Sequence, residues 1–76
     1  MNANRRKEIQ RAVDMLEEAK SILDYCREEE QDALDNMPDS LQESERGQQM
    51  SDFIDQLDSA VSSVEEAVEF AMECLV

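Results

Sequence analysis

One proline, Pro38, stands at the midpoint of a 76-residue chain, and the only glycine, Gly47, follows in the same central region. Proline lacks a backbone donor and biases the preceding residue away from helical geometry, so a helix running into Met37 has to stop there. On either side no breaker interrupts about 30 residues, room for one long helix in each half. Three aromatic residues, a single glycine and a single proline argue against a sandwich or barrel. An all-α chain is what remains.

Apolar residues recur at helical spacing in both halves. In the first, helix one is expected over about 5–35, with Ile9, Leu16 and Leu23 at heptad position a and Ala12, Ala19, Cys26 and Ala33 at d. Glu30 takes the next a position, and with Glu28, Glu29 and Asp32 it suggests a last turn that leaves the core. In the second half, helix two is expected over about 44–75, with a at Met50, Leu57, Val64 and Ala71 and d at Phe53, Ala60, Ala67 and Cys74. Four successive e positions, Ile54, Val61, Val68 and Leu75, are apolar as well, which makes the stripe wider than a two-helix seam needs.

The connection is expected over 36–43. Ser40 with Glu43 fits a capping box, and Ser44 followed by Glu45 offers a second helix start, the one favoured here. Two helices of about 30 residues joined by so short a segment form an antiparallel hairpin about 45 Å long, one domain in all. Folding about residue 42 sets Arg11 near Glu73 and brings the bases of the first turn beside the C-terminal end of helix two, where the helix dipole favours cations. The small d residues would let the two axes approach closely. Both cysteines then read as free thiols at core d positions, too far apart to pair.

A chain below about 80 residues rarely draws more than roughly 3–5 kcal/mol from a single core. A second copy is the natural remedy: the e flank Ile54, Val61, Val68 and Leu75, with Met15, Ile22 and Phe70, is expected to form the interface of a dimeric four-helix bundle.

Twenty acids oppose seven bases, for a net charge of −13, and the bases concentrate at the start. Residues 1–11 carry +3 and residues 12–76 carry −16. Direct nucleic-acid binding needs a basic stripe that this chain lacks. No apolar run is long enough to span a membrane and no leader pattern follows the first bases, so the expectation is a cytoplasmic protein without membrane contact.

The central segment Asn36-Met37-Pro38-Asp39-Ser40-Leu41-Gln42-Glu43-Ser44-Glu45-Arg46 resembles the loop Asn-x-Pro-x-x-Leu-Gln-x-Ser-Glu-Arg of small acidic helical-hairpin proteins, without assigned activity, encoded by phages and prophages of Gram-positive bacteria. Within that pattern Glu43 replaces a common glycine and Gly47 a common aromatic residue. The resemblance implies a helical hairpin and a phage or mobile-element setting in a bacterial host, and brings no catalytic residues.

Enzyme chemistry finds little support. Glu65, Glu66 and Glu69 have the spacing with which all-α nucleoside triphosphate pyrophosphatases hold Mg²⁺, and Glu17 and Glu18 lie across from them, but their b, c and f positions face solvent. Acids from Glu28 to Asp39 lack the ligand spacing and turn glycine of an EF-hand. Neither cysteine has a histidine to activate it. No catalytic, metal or cofactor site is therefore assigned. Pro38, Ser40, Ser44 and Arg46 form a candidate loop site, where two serines, helix-start amides and a guanidinium could meet an anion, although plain capping explains them too.

Three functions compete, the weakest being a carboxylate-metal nucleoside triphosphate pyrophosphohydrolase built on Glu65, Glu66 and Glu69. The first is a non-enzymatic interaction protein that self-associates and binds a protein partner through its apolar flank. The second is an inhibitor that mimics nucleic acid, with Asp52, Asp55, Asp58, Glu65, Glu66, Glu69 and Glu73 as a row of carboxylates entering the basic channel of a host defence or DNA-handling protein.

Overall fold

A computed structural model describes all 76 residues. It is all-helical: α1 spans Ala3–Asp35, α2 is one turn at Asp39–Gln42, and α3 spans Glu45–Glu73. Helix α1 begins two residues before the expected start because Asn2 caps it, its Oδ1 accepting from the Arg5 amide at 2.8 Å. The connection expected as an irregular loop contains α2, nucleated after Pro38, whose carbonyl accepts from the amides of Leu41 and Gln42. Ser44 is the N-cap of α3, and its Oγ accepts from the Gly47 amide at 3.4 Å.

The long helices lie side by side and run in opposite directions. Arg6 Nη1 donates to the Leu75 carbonyl at 3.3 Å, Lys20 Nζ lies 3.1 Å from Glu65, and Arg27 Nε lies 3.2 Å from Asp58. The molecule is a rod of 58 × 14 × 14 Å. Arg6, rather than Arg11, meets the end of α3: Arg11 pairs with Glu8 of its own helix at 3.5 Å and both are well exposed.

The seam between the helices is built from a and e positions, not a and d. On α3, Ile54, Val61 and Val68 are 6–9% exposed and Leu75 is half-buried, whereas Phe53, Ala67 and Cys74 are exposed and Ala60 half-buried. On α1 the a and e residues Ile9, Val13, Leu16, Lys20, Leu23, Arg27, Glu30 and Leu34 are buried or half-buried, as are the b residues Asp24 and Gln31, while Ala12, Ala19, Cys26 and Ala33 are exposed. The e flank expected to be an external interface is thus the inner core, and the d alanines and cysteines expected inside lie outside. Area decides this, since branched side chains remove more apolar surface from water than alanines do. Lys20 and Arg27 can occupy seam positions because their methylene stems lie in the contact while the charged heads reach its edge. Glu30 does not end the stripe either, for α1 continues to Asp35 with Leu34 half-buried.

Two polar residues fix the turn. Gln42 Nε2 donates to the carbonyls of Leu34, at 3.1 Å, and Met37, at 2.9 Å, adding a side-chain donor at the end of α1, where the Leu34 carbonyl also accepts from the Met37 amide at 3.1 Å. Gly47 is buried, and a Cβ on it would sit 2.6 Å from the Gln42 carbonyl carbon and 2.7 Å from the Leu41 oxygen. Glycine there is a requirement of close approach, not merely a tolerated residue near a helix start. Gly47→Ala should therefore lower stability by about 1–3 kcal/mol through overpacking, although helix propensity alone would raise it by about 1 kcal/mol. Urea unfolding followed by circular dichroism measures the sign, and a more stable variant would contradict the tight turn.

Candidate functional site

With a and e inside, the remaining heptad positions sort onto two faces. Positions d and g lie to one side of the seam and b and f to the other, and antiparallel packing brings like flanks of the two helices to the same side. Cys26 and Phe53, both d residues, line one shallow groove together with Glu30, Gln56 and Leu57. Glu17, Lys20, Glu65, Val68 and Glu69 line another, on the side of the b and f positions.

The d and g face is apolar. Between Ala12 and Cys26 on α1, and between Gln49 and Cys74 on α3, its positions hold no ionisable side chain other than the two thiols. Met15, Ile22, Phe53 and Phe70 stand out from it, 46–68% exposed. Of the residues expected at an interface, Met15, Ile22 and Phe70 are together on this surface, and Ile54, Val61, Val68 and Leu75 are not. Cys26 and Cys74 belong to it as exposed free thiols. Tyr25 and Met72 are exposed as well, but at a c and a b position away from it. A heptad pattern whose a, d and e sites are all apolar leaves two candidate seams, and the charged Lys20 and Arg27 made the correct one look the poorer.

The opposite face is acidic: Asp14, Glu17, Asp24, Glu28 and Asp35 from α1 meet Asp55, Asp58, Glu65 and Glu69 from α3 at b and f positions. All seven carboxylates of the candidate mimicry row, Asp52, Asp55, Asp58, Glu65, Glu66, Glu69 and Glu73, are exposed. Two of them have internal partners, Glu65 with Lys20 and Asp58 with Arg27, and Arg27 also approaches Asp24 at 3.8 Å. The Lys20 pKa is raised by its hydrogen bond to Glu65 and by the Glu65 charge, against an opposing effect of desolvation, with the charges of Glu17 and Asp24 adding to the rise. Its ammonium stays charged below the ordinary lysine range near 10.4, and the pairing is lost as pH rises through the raised value.

That ammonium stands among the carboxylates considered for Mg²⁺. Glu17, Glu65 and Glu69 share a groove, with Lys20 in their midst, and no three acidic or thiol side chains converge in a geometry that could hold a metal ion. At the turn, the Ser44 hydroxyl is already committed, accepting from Gly47 and donating to the Leu41 carbonyl. Ser40 lies within α2, and Arg46 lines an open groove with Glu45, Gln48, Gln49 and Asp52. The polar loop residues thus serve the turn and do not converge on one point.

No helix is long and apolar enough to cross a membrane. No protein-family model matches the chain, and searches of curated proteins and of solved structures return no match.

Replacing Val61 by Glu separates the two assignments of its flank. A seam residue made ionic should unfold the helix pair, removing most of the helical circular dichroism, because an unpaired carboxylate cannot enter so thin a core. Retention of full helicity with only the molecular mass changed would return Val61 to an external interface.

Proposed function

We propose that the chain is a helical hairpin that self-associates through its d and g face and acts as a non-enzymatic interaction protein. The observation that carries this reading is the row of exposed Met15, Ile22, Phe53 and Phe70 on a face otherwise made of alanines, a serine, cysteines and the uncharged Gln49 and Gln56. A rod of this size offers a footprint of roughly 800 Å² along one long face, about the area each partner buries in a stable protein interface. The inner core holds only four buried apolar residues, so covering this face gives the fold apolar burial that it otherwise lacks. The resulting dimer is a four-helix bundle whose outward surfaces carry the acids. The loop's resemblance to phage and prophage hairpins supports a phage-type role in the cytoplasm of a bacterial host.

The test is mass in solution. Sedimentation equilibrium should give twice the chain mass at micromolar concentration, and Ile22→Glu should return the monomer mass, weakening association at least about tenfold as truncations at interface centres do. Because Ile22 lies outside the seam, the variant should retain much of its helicity. A wild-type chain that is monomeric throughout would end this reading.

Rows of carboxylates on the outer surfaces favour a second role beside the first: binding a basic host or phage protein in place of nucleic acid. Asp52, Asp55, Glu66, Glu69 and Glu73 have no ion-pair partner in the fold and project along the length of α3. A complex with a basic DNA-handling protein should weaken steeply between about 50 and 500 mM salt, as screening shortens the reach of exposed charge. It should weaken again when Asp55, Glu66 and Glu69 are neutralised together as Asn and Gln. A complex indifferent to both would rule out mimicry.

A further inference from the structure

We infer that the second copy packs face to face and antiparallel to the first, with the turns at opposite ends and the two-fold axis lying in the interface at the level of Ala19 and Ala67. This inference rests on the self-association proposed above and adds the orientation of the copies. Two closed arrangements place one d and g face on another: turns at the same end, with α1 over α3 of the second copy, or turns at opposite ends, with α1 over α1 and α3 over α3.

Charge separates them. The turn end carries eight acids from Glu28 to Glu45, and the open end carries Arg5, Arg6, Lys7 and Arg11 against Glu8 and Glu73. With turns together, two strongly acidic ends lie side by side. Turned end for end, the basic first turns of each copy lie along the acidic end of the other and the two turns stand a rod length apart, 58 Å in each copy. At the rim Glu29 comes level with Glu8 of the other copy, whose charge Arg11 offsets at 3.5 Å, and within reach of its Arg5.

Side-chain volume points the same way. The ion pairs Lys20–Glu65 and Arg27–Asp58 set the level of α1 against α3. By that register Met15 is level with Phe70, and Ile22 with Ser63. With turns together, Met15 and Phe70 of both copies crowd one layer, while the next layer holds only two isoleucines and two serines. With turns opposed, Met15 lies over Ile22 and Phe70 over Ser63 of the other copy, giving two equal layers about the axis, while Phe53, by the same count, stands past the end of the other copy's α3. Dense packing at even spacing favours the second.

Cross-linking tests the orientation. In a background with Cys26→Ser and Cys74→Ser, both exposed positions, Ala19→Cys and separately Ala67→Cys should each form a disulfide dimer under mild oxidation, doubling the mass seen under denaturing conditions. Ser21→Cys, on the acidic face, should remain single. A chain of doubled mass in sedimentation that cross-links only when the Ala19→Cys and Ala67→Cys chains are mixed overturns the antiparallel arrangement and leaves self-association standing. A chain that sediments as a monomer overturns both.

Discussion

Everything in this fold depends on which flank of a triply apolar heptad goes inside. The branched residues Ile54, Val61 and Val68 go in because a two-helix seam has few positions and must take the most apolar area at each. Once they are inside, α1 has to offer Val13, Lys20, Arg27 and Leu34 against them, since the same rotation that buries the e flank of α3 sets the partner flank of α1. Lys20 and Arg27 fit that place only through their long stems and through Glu65 and Asp58 at the edge of the seam. Exposed pairs of this kind add little to stability, because solvent screens them. Their larger effect is on register, because each fixes a level of α1 against α3.

The turn sets the same register from the other end. Helix α1 ends with carbonyls that need donors, and Gln42 supplies two from a single amide. Helix α3 starts with amides that need acceptors, and Ser44 supplies one. The backbone of Leu41 and Gln42 is pressed onto Gly47, where no side chain stands between them. A long, sequence-local rod gets a defined crossing from these contacts because every other contact between its helices is a repeating one, and repeating contacts alone tolerate slippage by a heptad.

Much of this was legible in the residues. Pro38 marks the end of α1, Ser44 marks the start of α3, and the long breaker-free halves announce two helices. The seam was not, and the reason is physical. Periodicity identifies apolar positions but cannot rank two adjacent stripes that share their a residues, and hydropathy penalises Lys20 and Arg27 for heads that never enter the core. Cys26, Cys74 and the alanines read as interior because small apolar residues fit close helix contacts. They fit equally well on the outside of a pair awaiting a second layer. Gln42 and Gly47 were invisible for a different reason: their roles depend on where the carbonyls of Leu34, Met37 and Leu41 arrive in space, which no local pattern encodes.

The distribution of charge gives the arrangement its limit. A rod with two apolar faces would stack without end, since each added copy would expose the face that recruited the next. Here the face opposite Met15, Ile22 and Phe70 carries nine acids at its b and f positions, and only Glu65 and Asp58 among those of α3 have a base within reach. The proposed association would cover Met15, Ile22 and Phe70, and a second would have to desolvate carboxylates against carboxylates at several kilocalories per buried charge. A two-fold pair satisfies both conditions at once: it closes the apolar face on itself and leaves like charge on every remaining side.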